Sequence, residues 1–205
     1  MTLRVGVLAS GAGTNLQALL DSVHREDGIE VAAVATSRAD AAALARAERA
    51  GVPTGVFALD DHPDREARDA AIADWLEDRR VGLVVLAGYM QLLTPSFLRR
   101  FPEAVINVHP ALLPAFPGLR VIEQAIAHGV RVVGVTVHFV DEGVDSGPII
   151  LQRAVDLPDD ADAASAHRLL QPVEHELLPE AVRLFARGAL SIDPANPRRV
   201  RIARG

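Results

Sequence analysis

The chain has 205 residues, 49% of them hydrophobic, which suits one domain of ordinary size or a domain with a small appendage. It contains no cysteine and no lysine, so thiolate nucleophiles, cysteine-based zinc sites, the lysine of a P-loop and Schiff-base catalysis are excluded. The net charge of −6 argues against a nucleic-acid surface, and no apolar run reaches the ~18 residues of a membrane helix.

Strands and helices alternate from residue 3 to residue 129. The first residues are typical of a strand and lack the cleavage region of a signal peptide, which predicts a cytoplasmic location. Apolar runs predict strands at 3–9, 29–36, 81–87 and 104–109, and a short third strand within 52–59. Helical spacing predicts helices at 16–23, 39–50, 65–79, 95–100 and 119–128. The buried stripe of the helix at 65–79 is predicted to consist of Ala70, Ile72, Trp75 and Leu76. This alternation implies right-handed crossovers and a parallel sheet covered on both sides.

The pattern changes after residue 129. Two apolar stretches, 130–140 and 148–155, are joined by a connection too short for a parallel crossover, so they are predicted to pair antiparallel, and a long helix over 163–187 follows. We therefore predict an α/β fold, a Rossmann-like, mostly parallel twisted sheet with helices on both faces and an antiparallel strand pair near the C-terminal end. Residues 1–188 are interpreted as a single domain. Residues 189–205 are interpreted as a C-terminal tail, solvated and partly disordered because of its arginines, among them Arg204.

The stretch from 106 to 114 carries an informative pair of polar residues. Asn107 and His109 are two positions apart, so they face the same side of an extended chain. Pro110 lacks an N–H and restricts the residue before it, which predicts that the strand ends at His109. Open α/β sheets bind their ligands at such strand ends. An isolated pair of this kind is more often a hydrogen-bonded strand end, so its interpretation depends on the rest of the chain.

The turn over residues 10–15 is rich in glycine and lies between the first strand and the first helix. Gly11 and Gly13 let the backbone approach an anion, and the helix N-terminus offers free N–H groups. A dinucleotide fingerprint fits poorly, because Leu16 stands at its third glycine position. A phosphate monoester fits better, with Thr14 and Asn15 adding side-chain donors. An ordinary turn with one of these two residues as the helix cap remains the alternative.

Three further groups of polar residues have both a structural and a functional interpretation. The connection 141–148 is an acidic turn from which Asp145 could point inward; its three carboxylates suggest a metal, but nothing else in the chain requires one. Thr136 and His138 share a strand face, and we favour a hydrogen-bonded structural role for His138. Glu174 and His175 lie in the last predicted helix, where such a pair is usually on the surface.

These segments together resemble the phosphoribosylglycinamide formyltransferase family, the folate-dependent enzymes of purine synthesis, from Val5 to about Leu184. The resemblance depends on four blocks: Ser10-Gly11-x-Gly13-Thr14-Asn15-Leu16-Gln17; Leu86-Ala87-Gly88-Tyr89-Met90; Asn107-Val108-His109-Pro110 with Leu112-Leu113-Pro114; and Gly134-x-Thr136-Val137-His138-Phe139-Val140 with Val144-Asp145-x-Gly147-Pro148-Ile149. The last two blocks are shared more widely by enzymes that use 10-formyltetrahydrofolate. The first block resembles the substrate-phosphate loop of the ribonucleotide enzymes.

The resemblance implies a role for each matching residue. The catalytic residues would be Asn107, His109 and Asp145. The ribonucleotide would be held by Gly11, Gly13, Thr14, Asn15 and Glu174. The co-substrate 10-formyltetrahydrofolate would contact Arg65, Met90, Gln91, Leu93, Val140 and Asp141. The chain departs from the family pattern at Gln91, where Arg is common, at Ala111, where Ser is common, and at Ile122, where His often occurs.

The implied reaction moves a formyl group from folate N10 to the glycine amine of the ribonucleotide, without a metal. The Asn107 amide and a charged His109 would stabilise the oxyanion, while Asp145 would orient the imidazole and assist proton transfer. The expected partners are small molecules, with no nucleic acid and no membrane, and the protein would be a monomer or homodimer. The alternatives are a formyltetrahydrofolate deformylase, a formyltransferase for charged tRNA, a nicotinamide-dependent Rossmann reductase with Arg38 on a 2′-phosphate, and a non-catalytic nucleotide-binding module.

Overall fold

The computed structural model describes residues 2–203, so the predicted tail residue Arg204 lies outside the described residues. The chain divides after Asn107 into two compact units. The first unit ends with that residue, and the second begins at Val108. The single domain predicted for residues 1–188 stays a prediction.

The first unit is built from parallel strands in the order β3-β2-β1-β4-β5. Its strands are β1 (Leu3–Ala9), β2 (Ile29–Thr36), β3 (Thr54–Val56), β4 (Leu83–Leu86) and β5 (Val105–His109), whose last two residues belong to the second unit. Its helices are α1 (Thr14–Ser22), α2 (Ala42–Arg49), α3 (Arg65–Glu77) and α4 (Pro95–Arg100), with a 3-10 turn at Leu59–Asp61. The predicted βα alternation is confirmed.

Strands β1, β2 and β4 of the first unit are largely buried because they are apolar on both faces. Val7, Val34 and Val85, on β1, β2 and β4, are all fully buried. Strands covered on both sides are typical of parallel sheets, which explains why the apolar runs predicted them well. The short third strand predicted within 52–59 is confirmed as β3, and the 3-10 turn begins at Leu59.

The buried face of α3 differs from the prediction. The predicted stripe of Ala70, Ile72, Trp75 and Leu76 is wrong at Ala70, which is exposed, while Trp75 is only half-buried. Arg68 and Asp69 are fully buried instead. Two adjacent opposite charges can be buried when they pair with each other, which periodicity of apolar residues does not reveal.

The second unit contains the predicted antiparallel pair. Its elements after β5 are α5 (Val121–His128), β6 (Val132–Phe139), β7 (Ile149–Asp156), α6 (Ala163–Ala186), β8 (Leu190–Asp193) and β9 (Asn196–Ile202). Strands β6 and β7 pair antiparallel, with Thr136 opposite Gln152. The predicted fold class, α/β with a mostly parallel sheet and an antiparallel pair near the C-terminal end, is confirmed.

The C-terminal segment is more ordered than predicted. Strands β8 and β9 pair antiparallel, and Arg199 of β9 lies opposite Ile149 of β7 in a parallel bridge. The arginines of β9 are exposed, as expected for a solvated segment. The prediction of disorder was wrong, because the backbone of β9 pairs with that of β8 and β7 and this pairing does not depend on the side chains. Within residues 2–203, no helix is long and apolar enough to cross a membrane.

Candidate active site

Asp145 has an unusual backbone conformation in the connection between β6 and β7. Its φ of +50° lies in the left-handed region, which Asp tolerates better than most residues. Two residues later, a Cβ on Gly147 would lie 1.8 Å from the carbonyl oxygen of Phe139, so the chain can pass this point only as glycine. This tight return to the end of β6 holds the Asp145 side chain 14% exposed.

The Asp145 carboxylate lies between two imidazoles. Oδ2 is 3.4 Å from Nδ1 of His109, at the end of β5, and Oδ1 is 3.6 Å from Nε2 of His138, on β6. Both histidines are buried, at 5% and 2% exposure. The structure therefore brings together two predicted catalytic residues, and adds His138, for which we had favoured a purely structural role.

The second nitrogen of each imidazole contacts a backbone carbonyl. His109 Nε2 lies 2.9 Å from the carbonyl oxygen of Phe116, and His138 Nδ1 lies 2.8 Å from that of Phe139. A carbonyl oxygen only accepts, so each of these nitrogens carries a hydrogen and donates the hydrogen bond. The opposite nitrogen of each ring then faces the Asp145 carboxylate, which is attractive only when that nitrogen also carries a proton.

The pKa of Asp145 reflects these contacts. Burial raises the pKa, because it penalises the charged carboxylate. The hydrogen bond with His138, the backbone N–H of Gly118 and the charge of His109 lower it, and together they hold the pKa of Asp145 below its ordinary value. The structure thus stabilises Asp145 in its ionised form.

This lowered pKa predicts how Asp145 contributes to stability. Because the folded pKa lies below the unfolded value of about 3.9, the contribution is present above that value and is lost as the pH falls through the folded pKa. We expect the difference in the free energy of unfolding between wild type and Asp145→Asn to shrink as the pH falls from about 5 to about 2. Urea denaturation across this range measures it, and a difference that grows on acidification would contradict the lowered pKa.

The segment between β5 and α5 forms hydrogen bonds with Asp145 and with Thr136 of β6. The N–H of Gly118 donates to Asp145 Oδ2 at 2.8 Å. At the other end, Thr136 Oγ1 donates to the carbonyl of Ala111 at 2.7 Å and accepts from the N–H of Leu113 at 3.1 Å. Thr136 therefore shapes this segment, a role that its position two residues from His138 did not reveal.

Strand β5 carries the two residues of the predicted strand end. Asn107 is half-buried and His109 is buried, and they lie two positions apart in one continuous strand. The strand stops at His109, as Pro110 predicted. An amide and an imidazole thus share one face of β5 at its carboxyl end.

The predicted phosphate turn has the geometry of a backbone cradle. Gly13 has a φ of +70°, and a Cβ there would lie 2.8 Å from Cα of Ala43, so glycine is required for both conformation and space. Helix α1 begins at Thr14, and within the described chain no side chain caps it. The N-cap residue is Gly13, so the alternative of a helix cap by Thr14 or Asn15 is wrong.

Sequence reasoning missed a cation beside this turn. Arg46, on α2, donates from Nε to the carbonyl of Ala12 at 2.9 Å and from Nη1 to Gln17 Oε1 at 3.1 Å. It is half-buried. The alanine-rich sequence of α2 does not indicate that one of its arginines contacts the turn between β1 and α1.

Four of the predicted folate-contacting residues lie in the first unit. Met90, Gln91 and Leu93 belong to one irregular segment, where Met90 is 62% exposed. Arg65, at the start of α3, donates to the carbonyl of Leu92 in that segment at 2.9 Å. A cavity of about 320 Å³ is lined by residues that follow β1 to β4: Ser10, Ser37, Arg38, Ala58, Leu59, Asp60, Met90 and Gln91.

The remaining predicted residues lie in the second unit. Val140 follows β6, and the exposed Asp141 accepts from the N–H of Gly143 at 3.1 Å and from Ser146 Oγ at 2.7 Å. Glu174 is buried on α6, at 8% exposure, so the surface interpretation of this residue is wrong. No group of three or more potential metal ligands occurs in the part of the chain that the structure describes.

The family model described as formyl transferase matches residues 3–182. The chain belongs to the formyl transferase family. The resemblance inferred from the sequence is thereby confirmed.

Relatives and solved structures agree with this assignment. The chain is 43% identical, over 92% of its length and 87% of the relative's, to phosphoribosylglycinamide formyltransferase of Mycobacterium tuberculosis. It is 42% identical, over 91% of its length, to the trifunctional purine biosynthetic protein adenosine-3 of Drosophila pseudoobscura pseudoobscura, but spans only 14% of that protein. The crystal structure of glycinamide ribonucleotide transformylase 1 from Symbiobacterium toebii matches with a TM-score of 0.95 at 50% identity, over 99% of this chain and 95% of that one.

Proposed function

We propose that the chain transfers a formyl group from 10-formyltetrahydrofolate to the amine of 5′-phosphoribosylglycinamide, in de novo purine biosynthesis. The observation that carries the proposal is the Asp145 carboxylate between two buried imidazoles, with His109 at the end of the strand that also carries Asn107. Membership of the formyl transferase family supports the reaction class. The names of the relatives support the ribonucleotide as the acceptor.

The turn over residues 10–15 supports binding of the substrate phosphate. A chain without lysine must bind a phosphate through backbone N–H groups, neutral side chains or arginine. Gly13 and the N-terminus of α1 offer the backbone groups, and the buried Asn15 lies beside them. We propose that Gly11, Gly13, Thr14 and Asn15 hold the phosphate, and that Glu174 contacts the ribose.

The folate side of the reaction is supported by the exposed side chain of Met90 and the half-buried side chains of Leu93 and Val140. We propose that the folate is contacted by Met90, Gln91, Leu93, Val140 and Asp141. Arg65 would pair with an acidic group of the co-substrate. Apolar side chains with a few polar groups are the usual lining of such ligand sites.

The proposed mechanism needs charge stabilisation at one oxygen and transfer of one proton. The ribonucleotide amine attacks the formyl carbon, and the C–N10 bond breaks as the new C–N bond is retained. The amide N–H of Asn107 and the imidazolium of His109 stabilise the oxyanion that develops on the formyl oxygen. Asp145 orients His109 and takes part in moving the proton from the attacking amine to N10.

One assay tests the proposal against its rival. Purified protein is mixed with 10-formyltetrahydrofolate, with and without 5′-phosphoribosylglycinamide, and tetrahydrofolate formation is followed spectrophotometrically. Product only in the presence of the ribonucleotide supports the transferase. Product without the ribonucleotide identifies a deformylase, and no product in either case rejects both activities.

Arg46 provides a test of the phosphate site. Arg46→Met removes the tether to Ala12 and a positive charge near the turn, so we expect the KM for the ribonucleotide to rise about threefold to tenfold with kcat nearly unchanged. The rise should fall at high salt, because the charge is only half-buried. Steady-state kinetics measure it, with Arg49→Met as the control, an exposed arginine on the same helix. An equal rise in both variants would show a general loss of charge instead.

The cytoplasmic location and the monomeric or homodimeric state stay predictions. The proposed small-molecule substrates support a metabolic compartment. Cell fractionation and light scattering measure these two properties directly.

A further inference from the structure

A fully buried ion pair lies on α3, apart from the predicted catalytic residues. Arg68 and Asp69 are neighbours in the sequence, and both are 0% exposed. Arg68 Nη2 lies 2.6 Å from Asp69 Oδ1, and Nε donates to the same oxygen at 2.9 Å. Such a pair contributes little net stability, because the cost of desolvating both charges offsets their attraction. A buried ion pair that contributes little stability can instead specify the conformation of the groups that it binds.

The remaining polar atoms of the pair bind the loop that follows β4, residues 88–94. Arg68 Nη1 donates to Gln91 Oε1 at 3.2 Å. Asp69 Oδ2 accepts the N–H of Thr94 at 2.7 Å. Hydrogen bonds that involve a charged group are stronger than neutral ones, and burial strengthens them further. The pair therefore fixes this loop at both a side chain and the backbone.

The loop itself has little regular structure and exposes apolar side chains. Residues 88–94 contain no helix or strand. Met90 and Leu92 are 62% and 57% exposed. An irregular loop loses conformational entropy when a ligand orders it, and a loop that is already held avoids that cost. Because residues of α3 anchor this loop through hydrogen bonds, its apolar side chains are held in a fixed arrangement.

We propose that Arg68 and Asp69 are positioning residues that set the affinity for the reduced folate by holding loop 88–94. This inference rests on the proposed function, which assigns Met90 and Gln91 to the folate. Neither member of the pair touches the ligand. Gln91 stands where arginine is common in the phosphoribosylglycinamide formyltransferase family, and Arg68 of α3 donates a hydrogen bond to this glutamine. The positive charge near Gln91 is therefore supplied by Arg68 of α3 and not by the loop itself.

The decisive variant is the double substitution Arg68→Met with Asp69→Leu. Arg68→Met alone leaves an unpaired buried carboxylate and destabilises the fold, whereas an apolar pair of similar size keeps stability near that of wild type. We expect the Thr94 amide to exchange with solvent at least about tenfold faster and the KM for 10-formyltetrahydrofolate to rise about tenfold. The kcat and the KM for the ribonucleotide should stay within about twofold.

Two controls separate loop positioning from general effects. Arg100→Met with Glu77→Leu removes a partly exposed ion pair between α4 and α3, with the same zero change of net charge, and among the described hydrogen bonds neither residue contacts the loop. Leu76→Ala makes a cavity under α3 and lowers stability. Neither should change the KM for folate. A double variant with wild-type exchange and wild-type KM would overturn the proposal, as would an equal rise of KM in Leu76→Ala.

Hydrogen exchange and formyl transfer fail independently. Slow exchange at Thr94 in a wild-type protein that neither binds folate nor transfers formyl would overturn the proposed function and with it the ligand assigned to the loop. Fast exchange at Thr94 in a wild-type protein that transfers formyl would overturn the loop anchor alone.

Discussion

Asp145→Asn is expected to reduce kcat of formyl transfer about 10²- to 10⁴-fold, the range that a group taking part in proton transfer contributes. The substitution keeps the size of the side chain but removes the charge that lies 3.4 Å from Nδ1 of His109 and 3.6 Å from Nε2 of His138. The ribonucleotide should still bind, because its phosphate is assigned to a turn in the first unit. Steady-state kinetics and calorimetric titration with the ribonucleotide measure both quantities.

The matched control is Asp159→Asn, which makes the same substitution at an exposed aspartate paired with Arg131. It should leave kcat unchanged, since exposed ion pairs contribute little. Turnover of Asp145→Asn within about twofold of wild type would remove Asp145 from the mechanism.

Asn107→Ala is expected to lower kcat by about 10²- to 10³-fold, equivalent to about 3–4 kcal/mol, as for loss of one oxyanion donor. The amide lies on the same strand as His109, at the carboxyl end where the formyl oxygen is proposed to bind. A donor that acts on the oxyanion is used in the transition state and not in the ground state, so kcat should fall while the KM values change little.

The same substitution at the first residue of β9, Asn196→Ala, controls for effects unrelated to the reaction. Asn196 is exposed, and its Oδ1 accepts the backbone N–H of Arg198. The oxyanion role is contradicted if Asn107→Ala raises only the KM values and leaves kcat intact.

Sequence patterns predicted the buried sheet well and the polar segments poorly. Strands β1 and β2 have the predicted bounds, because a strand that is apolar on both faces contrasts with its surroundings. Strands β8 and β9 were missed, because β9 is arginine-rich and exposed and its order comes from backbone pairing with β8 and β7. Such pairing over distance leaves no local signature in composition.

Two polar positions of the candidate site followed from local geometry, but the contacts of the site did not. The spacing of Asn107 and His109 and the proline after them follow from local backbone geometry. The left-handed conformation of Asp145 and its contact with His138 depend on how the connection folds back, which spacing does not specify. The buried pair on α3 was hidden for a similar reason, because charged residues in a helix normally predict a solvated face.

The contact between His109 and Phe116 has a consequence for ligand affinity. Nε2 of His109 already donates to a peptide carbonyl of the protein itself, at 2.9 Å. A ligand oxygen that accepts a hydrogen bond from this donor must displace the Phe116 carbonyl. The carbonyl therefore competes with the ligand, and because it belongs to the same molecule, dilution does not weaken this competition. The apparent dissociation constant of such a ligand equals its intrinsic value divided by the fraction of molecules in which His109 Nε2 is not hydrogen-bonded to the Phe116 carbonyl.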